Sequence, residues 1–195
     1  MANTKQRSPH VRRQVLFIQG AGADVHDRWD DKLVDSLKRE LGSDYDVQYP
    51  RMPNEADPHY SSWKPAIEQE IESLDEDSIV VGHSIGGSML IKLLAESSVG
   101  QQLGALILVA APFVGEGGWP SDELRLPRDL GNALPENVPI HVFHGLSDEE
   151  VPPQHADLYE SAIQQARVHR HAGRDHQFGN DLKAVATVIK ALEDR

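Results

Sequence analysis

A chain of 195 residues has the length of one ordinary domain and can bury roughly 70% of its unfolded surface without a staple. It contains no cysteine, which excludes disulfides, thiolate nucleophiles and thiolate-bound metals and fits a reducing compartment. Its 31 acidic residues outnumber 19 basic ones for a formal net charge of −12, so the average field repels phosphate backbones and anionic lipid surfaces. Neither nucleic acid nor a membrane is an expected partner.

Residues 1–13 are polar and basic and lack the apolar segment of a secretory signal. They are expected to form a flexible tail on a cytoplasmic domain spanning residues 14–195. A first strand is expected over 14–19, followed by the small-residue turn Gly20-Ala21-Gly22. Trp29, Leu33, Leu37 and Leu41 recur every four residues and Gly42 follows as a stop, which predicts a helix with one apolar stripe. After a strand over 45–49, the residues Trp63, Ile67, Ile71 and Leu74 repeat that arrangement. Both tryptophans are read as core.

Strands over 78–82 and 105–110 are continuously apolar at Ile79-Val80-Val81 and Leu106-Ile107-Leu108-Val109, as expected for central strands covered on both faces. A helical run, 88–96, lies between them. The longest apolar stretch, 105–114, falls far short of the roughly 18 residues needed to span a bilayer. Residues 113–137, rich in glycine and proline, read as a loop or an abbreviated lid. A strand over 140–144 precedes a helix opened by Pro153 and carrying Leu158, Ala162, Ile163 and Ala166. A last strand over 167–171 leads to a closing helix with Leu182, Val185, Val188, Ile189 and Leu192. Six strands alternating with helices predict parallel βαβ units in a single α/β domain.

Gly82-His83-Ser84-Ile85-Gly86 matches G-x-S-x-G between an apolar strand and a helical run, the context of a nucleophile elbow. Serine needs a base within reach, and the base needs a carboxylate to hold its protonated form. Asp148, in the loop after the fifth strand, and His176, in the loop after the sixth, stand at the sheet edge where open parallel sheets bind ligands. The order Ser84, Asp148, His176 is that of hydrolases with this elbow. Among the other histidines, His10 lies in the tail, and His141, His169 and His171 fall inside predicted strands. His83 adjoins the nucleophile but should point away from it, as a structural neighbour, while His144 and His155 have no assigned role.

Acyl transfer also needs amide donors for the oxyanion. Ile85, after the nucleophile, supplies one; Ala21 is the choice for the other, with Gly20 and Gly22 open. Gly20-Ala21-Gly22 lacks the third glycine of a dinucleotide fingerprint, so no cofactor is expected, and no metal-ligand spacing appears. Trp119, Phe113 and Leu124 are candidates to wall a shallow substrate pocket.

The early glycine turn followed by Trp29, the segment Pro50-Arg51-Met52-Pro53 ahead of Trp63, the elbow 82–87, the loop through Asp148, and His176 resemble the small serine hydrolases of the α/β-hydrolase superfamily that include retinoblastoma-binding protein nine and bacterial relatives. The resemblance implies a six-stranded, mostly parallel sheet in the order 2-1-3-4-5-6, with helices on both faces and no large cap. It implies esterase-like chemistry without naming a substrate. Gln19 stands where the wider superfamily commonly has a histidine before the oxyanion glycine. The expected activity is hydrolysis of a small ester, thioester or activated amide, a small-molecule acyl substrate, through Ser84. The alternative is a non-catalytic or regulatory binding protein on the same fold, for which Ser84→Ala would leave the cellular role unchanged.

Overall fold

The apolar runs become the inner strands of one parallel sheet because alternate side chains leave a strand toward opposite faces, and here both faces are apolar. The computed structural model describes residues 12–100 and 102–192. The expected tail falls outside the described residues up to residue 11, and Arg13 already belongs to the first strand. In chain order the elements are β1 (Arg13–Ile18), α1 (Val25–Arg28), α2 (Asp30–Leu41), β2 (Tyr45–Gln48), α3 (Tyr60–Glu72), β3 (Ile79–His83), α4 (Ile85–Glu96), β4 (Ala105–Val109), α5 (Leu130–Ala133), β5 (Ile140–Gly145), α6 (Gln154–Ala162), β6 (Ala166–His171) and α7 (Lys183–Ala191). The strands lie in the order 2-1-3-4-5-6 and each neighbouring pair is parallel.

Leu16, Ile18, Val80, Leu106, Leu108 and Val142 point into a core shared with Trp63, Ile67, Leu90, Leu94 and Tyr159, from α3, α4 and α6. Their neighbours Val15, Phe17, Ile79, Val81, Ile107 and Val109 point the other way, onto Leu33, Leu37, Val185 and Ile189 of α2 and α7. The sheet is therefore sandwiched between two helical layers, a single α/β domain. Segment 113–137 adds no separate core. Leu124, Leu126, Leu130 and Leu134 join the α3–α4 side instead, and the segment contributes only the four-residue α5 and one bridge between Val114 and Trp119. Among the described residues no helix is long and apolar enough to cross a membrane.

Three local expectations are corrected. Trp29 is 53% exposed. It stands at the junction of α1 and α2 with φ −122° and ψ −62°, outside the buried stripe, with the Lys32 ammonium 5.3 Å over its ring. The apolar face of α2 is instead headed by Asp30. The helix after Pro153 stops at Ala162: Ile163 is extended at its C-cap, and Ala166 opens β6, where it pairs in register with Ile140. The elbow helix begins at Ile85, not Ser88, since the chain turns helical directly after the serine.

Candidate active site

Ser84 occupies the turn between β3 and α4 with φ 51° and ψ −130°, a left-handed backbone that a β-carbon tolerates poorly and that surrounding structure must hold in place. Its amide donates to Val109 O at 2.9 Å, tying the elbow to the end of β4. Small residues let strand and helix approach at this corner. A Cβ on Gly82 would lie 2.6 Å from Gly87 Cα, and one on Gly86 would run into the Gln19 carbonyl.

The loops that carry Asp148 and His176 are stitched together at the same sheet edge. Leu146 N donates to His171 O at 2.9 Å and Ser147 N to Arg174 O at 3.0 Å. Asp148 is buried. Its Oδ1 accepts from the amides of Val151 at 2.8 Å and Glu150 at 3.0 Å, and its Oδ2 lies 2.9 Å from His176 Nδ1. Burial opposes ionisation of this carboxyl, but the hydrogen bonds from His176 and Val151 outweigh it and hold the group below its ordinary value. An ionised Asp148 requires Nδ1 of His176 to be the donor, which leaves Nε2 as acceptor when the ring is neutral. That Nε2 lies 3.0 Å from Ser84 Oγ. Residues 64 and 28 positions apart in the chain thus form one hydrogen-bonded line.

The loop after β1 settles which amides are engaged. Gly20 N donates to Asp30 Oδ2 at 2.7 Å and Gly22 N to Glu55 O at 2.8 Å, which leaves the Ala21 amide uncommitted among the described residues. Ile85 is the first residue of α4, and a first-turn amide has no partner within its own helix. Gln19 is buried and braces this loop: its amide nitrogen donates to Glu55 at 2.7 Å, and its oxygen accepts from Met52 N at 3.1 Å.

Each remaining histidine near the site anchors main chain. His144 Nε2 donates to Val151 O at 2.9 Å, in the loop that carries Asp148. His155 Nδ1 accepts from Phe113 N at 2.9 Å. Burial pushes both rings below the ordinary histidine value. His83 is fully buried. Its Nδ1 lies 3.0 Å from the Asp30 carboxylate and its Nε2 3.1 Å from His176 O. Asp30 went unrecognised in the sequence, although one signal was there: it lies three residues before Leu33 and four before Val34, a carboxylate at the head of an apolar stripe.

Phe113 and Trp119 line one cavity of about 730 Å³ between the 113–128 segment and α6, together with Leu126 and Leu158. Leu124 packs into the core instead. The Phe113 ring stands edge-on to Tyr159 at 5.2 Å, and Trp119 edge-on to His155 at 5.8 Å. Among the described residues no group of three or more histidine or carboxylate side chains is arranged to hold a metal ion.

The model of the serine hydrolase family matches residues 15–180, a stretch running from β1 past His176. The chain belongs to the serine hydrolase family. YdeN of Bacillus subtilis is 29% identical over 100 residues, a match that spans 51% of this chain and 51% of that relative. The YdeN crystal structure superposes with a TM-score of 0.74 at 20% identity, covering 94% of this chain and all of the other. XC6422 of Xanthomonas campestris, described as an α/β serine hydrolase without a lid, gives a TM-score of 0.64 at 18% identity over 96% of this chain and 85% of its own. Family match and superposition together place the chain on the α/β-hydrolase fold.

Proposed function

We propose that this serine hydrolase is carboxylesterase-like and cleaves small esters, thioesters or activated amides through an acyl-enzyme on Ser84. The observation that carries the reading is the line Ser84 Oγ, His176, Asp148, with links of 3.0 and 2.9 Å. Ser84 Oγ attacks the substrate carbonyl carbon as its proton passes to His176 Nε2, and the new oxyanion is met by the Ile85 and Ala21 amides. Asp148 stays ionised and holds the imidazolium. Collapse of the tetrahedral species expels the alcohol, thiol or amine, which takes the proton from His176. Water, deprotonated by the same nitrogen, then releases the acid and restores Ser84.

The cavity of Phe113 and Trp119 is lined by neither Ser84 nor His176, so these rings would meet only a substrate that extends from Ser84 into it, and with no lid to select long chains the substrates are small. The test is turnover of p-nitrophenyl acetate by wild type and by Ser84→Ala. A loss of at least about 10³-fold in kcat is expected. Equal turnover by the two would remove Ser84 as nucleophile, and a folded wild type inert to all activated esters would favour the binding-protein alternative.

A further inference from the structure

The mechanism above makes no use of the buried Asp30–His83 pair, yet the pair touches three parts of the site. Asp30, the first residue of α2, and His83, the last of β3, are both fully buried. One ring nitrogen of His83 meets a carboxylate and the other meets the main-chain carbonyl of His176, 3.0 and 3.1 Å away. An ionised Asp30 only accepts, as the carbonyl does, so both ring nitrogens then donate and His83 is an imidazolium. Burial by itself would drive the proton off. The Asp30 charge, the hydrogen bond to it and the His176 carbonyl outweigh burial and raise His83 above the ordinary histidine value, while Asp30 is held below its own.

The remaining contacts show where this charge pair acts. Asp30 Oδ2 accepts the Gly20 amide at 2.7 Å, next to Ala21, and Asp30 Oδ1 accepts from Gln177 Nε2 at 3.4 Å, next to His176. Besides Asp30 and His176, the charge that reaches His83 is Asp148, from the loop after β5. A buried ion pair is a costly way to stabilise a fold, because desolvation offsets most of the attraction. It is effective at fixing directions, because both ring nitrogens of His83 and both carboxylate oxygens of Asp30 are engaged.

We propose that Asp30 and His83 are a positioning pair for the hydrolytic reaction. The His83 Nε2–H sets the main chain of His176, and so where its imidazole stands relative to Ser84. The Asp30 carboxylate sets Gly20, and so where the Ala21 amide faces the reacting carbonyl. The proposal rests on the reading of Ser84 as nucleophile and His176 as base.

Side-chain amides separate the two arms. The asparagine nitrogen can stand near the place of imidazole Nδ1, and the glutamine nitrogen near that of Nε2. His83→Asn therefore keeps a donor toward Asp30 and drops the bond to His176 O. The double variant Asp30→Asn/His83→Gln rewires the cluster without charge. The amide nitrogen introduced at position 30 donates to the side-chain oxygen introduced at position 83, while the new oxygen at position 30 still accepts Gly20 N. The glutamine nitrogen at position 83 donates to His176 O.

The measurement is kcat and KM for p-nitrophenyl acetate on the full chain, with thermal unfolding alongside. His83→Asn should lose about 30- to 100-fold in kcat with KM within about threefold, as for a base displaced by a fraction of an ångström. The double variant should recover most of that loss. Unchanged kcat in a folded His83→Asn, or a double variant as slow as the single one, would overturn the proposal. Should His83→Asn fail to fold, the wild-type imidazole spectrum decides, since two ring N–H protons on His83 at pH 6 are required and one would overturn the pair. Absence of Ser84-dependent turnover in wild type would instead refute the underlying reading, a result distinct from normal turnover that His83→Asn leaves untouched.

Discussion

Gly82→Ala tests whether the tight strand–helix corner is what aims the nucleophile. The new methyl would lie 2.6 Å from Gly87 Cα, 2.8 Å from Gly87 N and 2.7 Å from Leu90 Cδ1, against 3.4–4 Å for ordinary contact. Two of these three atoms are backbone, so no rotamer change relieves the clash. Gly82 is itself fixed between Ile18 and Leu108 in the sheet. The start of α4 must therefore retreat by most of an ångström, carrying the Ile85 amide and the Ser84 turn with it. Overpacking of this kind costs about 1–3 kcal/mol, which for a domain of this size lowers Tm by about 3–10 °C. A displacement near 1 Å at the reacting groups costs about 10²-fold in rate. Differential scanning calorimetry and kcat on p-nitrophenyl acetate read the two effects. Gly20→Ala, whose methyl would lie 3.2 Å from Ser84 Cβ, should lose clearly less stability. A Gly82→Ala protein with wild-type Tm and kcat would refute the claim that this corner sets the geometry.

Asp148→Asn keeps an oxygen for the Val151 and Glu150 amides but no longer enforces the productive tautomer of His176, so kcat should fall by about 10³- to 10⁴-fold while circular dichroism changes little; a loss below tenfold would contradict its role. The Asp30–His83 pair should shape stability against pH. His83, raised on folding, contributes fully below about pH 6.5 and loses that contribution as pH rises through its folded-state value. Asp30, lowered on folding, contributes fully above about pH 4 and loses that contribution as pH falls through its folded-state value. Urea unfolding of wild type against Asp30→Asn/His83→Gln should thus differ most between those limits, and a difference independent of pH would count against a charged pair. Trp119→Ala should raise KM for bulky or aromatic esters more than for acetate, by about tenfold if one ring contact is lost; equal effects on both substrates would take Trp119 out of the pocket.

Much of this molecule was legible because its signals are local. The runs Ile79-Val80-Val81 and Leu106 to Val109 have no polar face, so they can only be inner strands. The elbow glycines, the strand before them and the helix after them are contiguous, and Asp148 and His176 each follow a strand directly. What escaped was set by tertiary packing. Trp29 continues the stripe of α2 by spacing, but a helix that starts one residue later turns it outward and brings Asp30 under the sheet. Ala166 suits a helix by composition, and only pairing with Ile140 makes it a strand residue. Which amides of Gly20-Ala21-Gly22 are engaged depended on Asp30 and Glu55, which lie 8 to 10 and 33 to 35 residues from that turn.

The most direct test is reaction with a fluorophosphonate, followed by mass spectrometry of the labelled peptide in wild type, Ser84→Ala and His176→Ala. An activated serine held by this hydrogen-bonded line predicts one adduct, on Ser84, absent in Ser84→Ala and strongly slowed in His176→Ala. A folded wild type that takes no label, or takes it at another serine, would contradict the account.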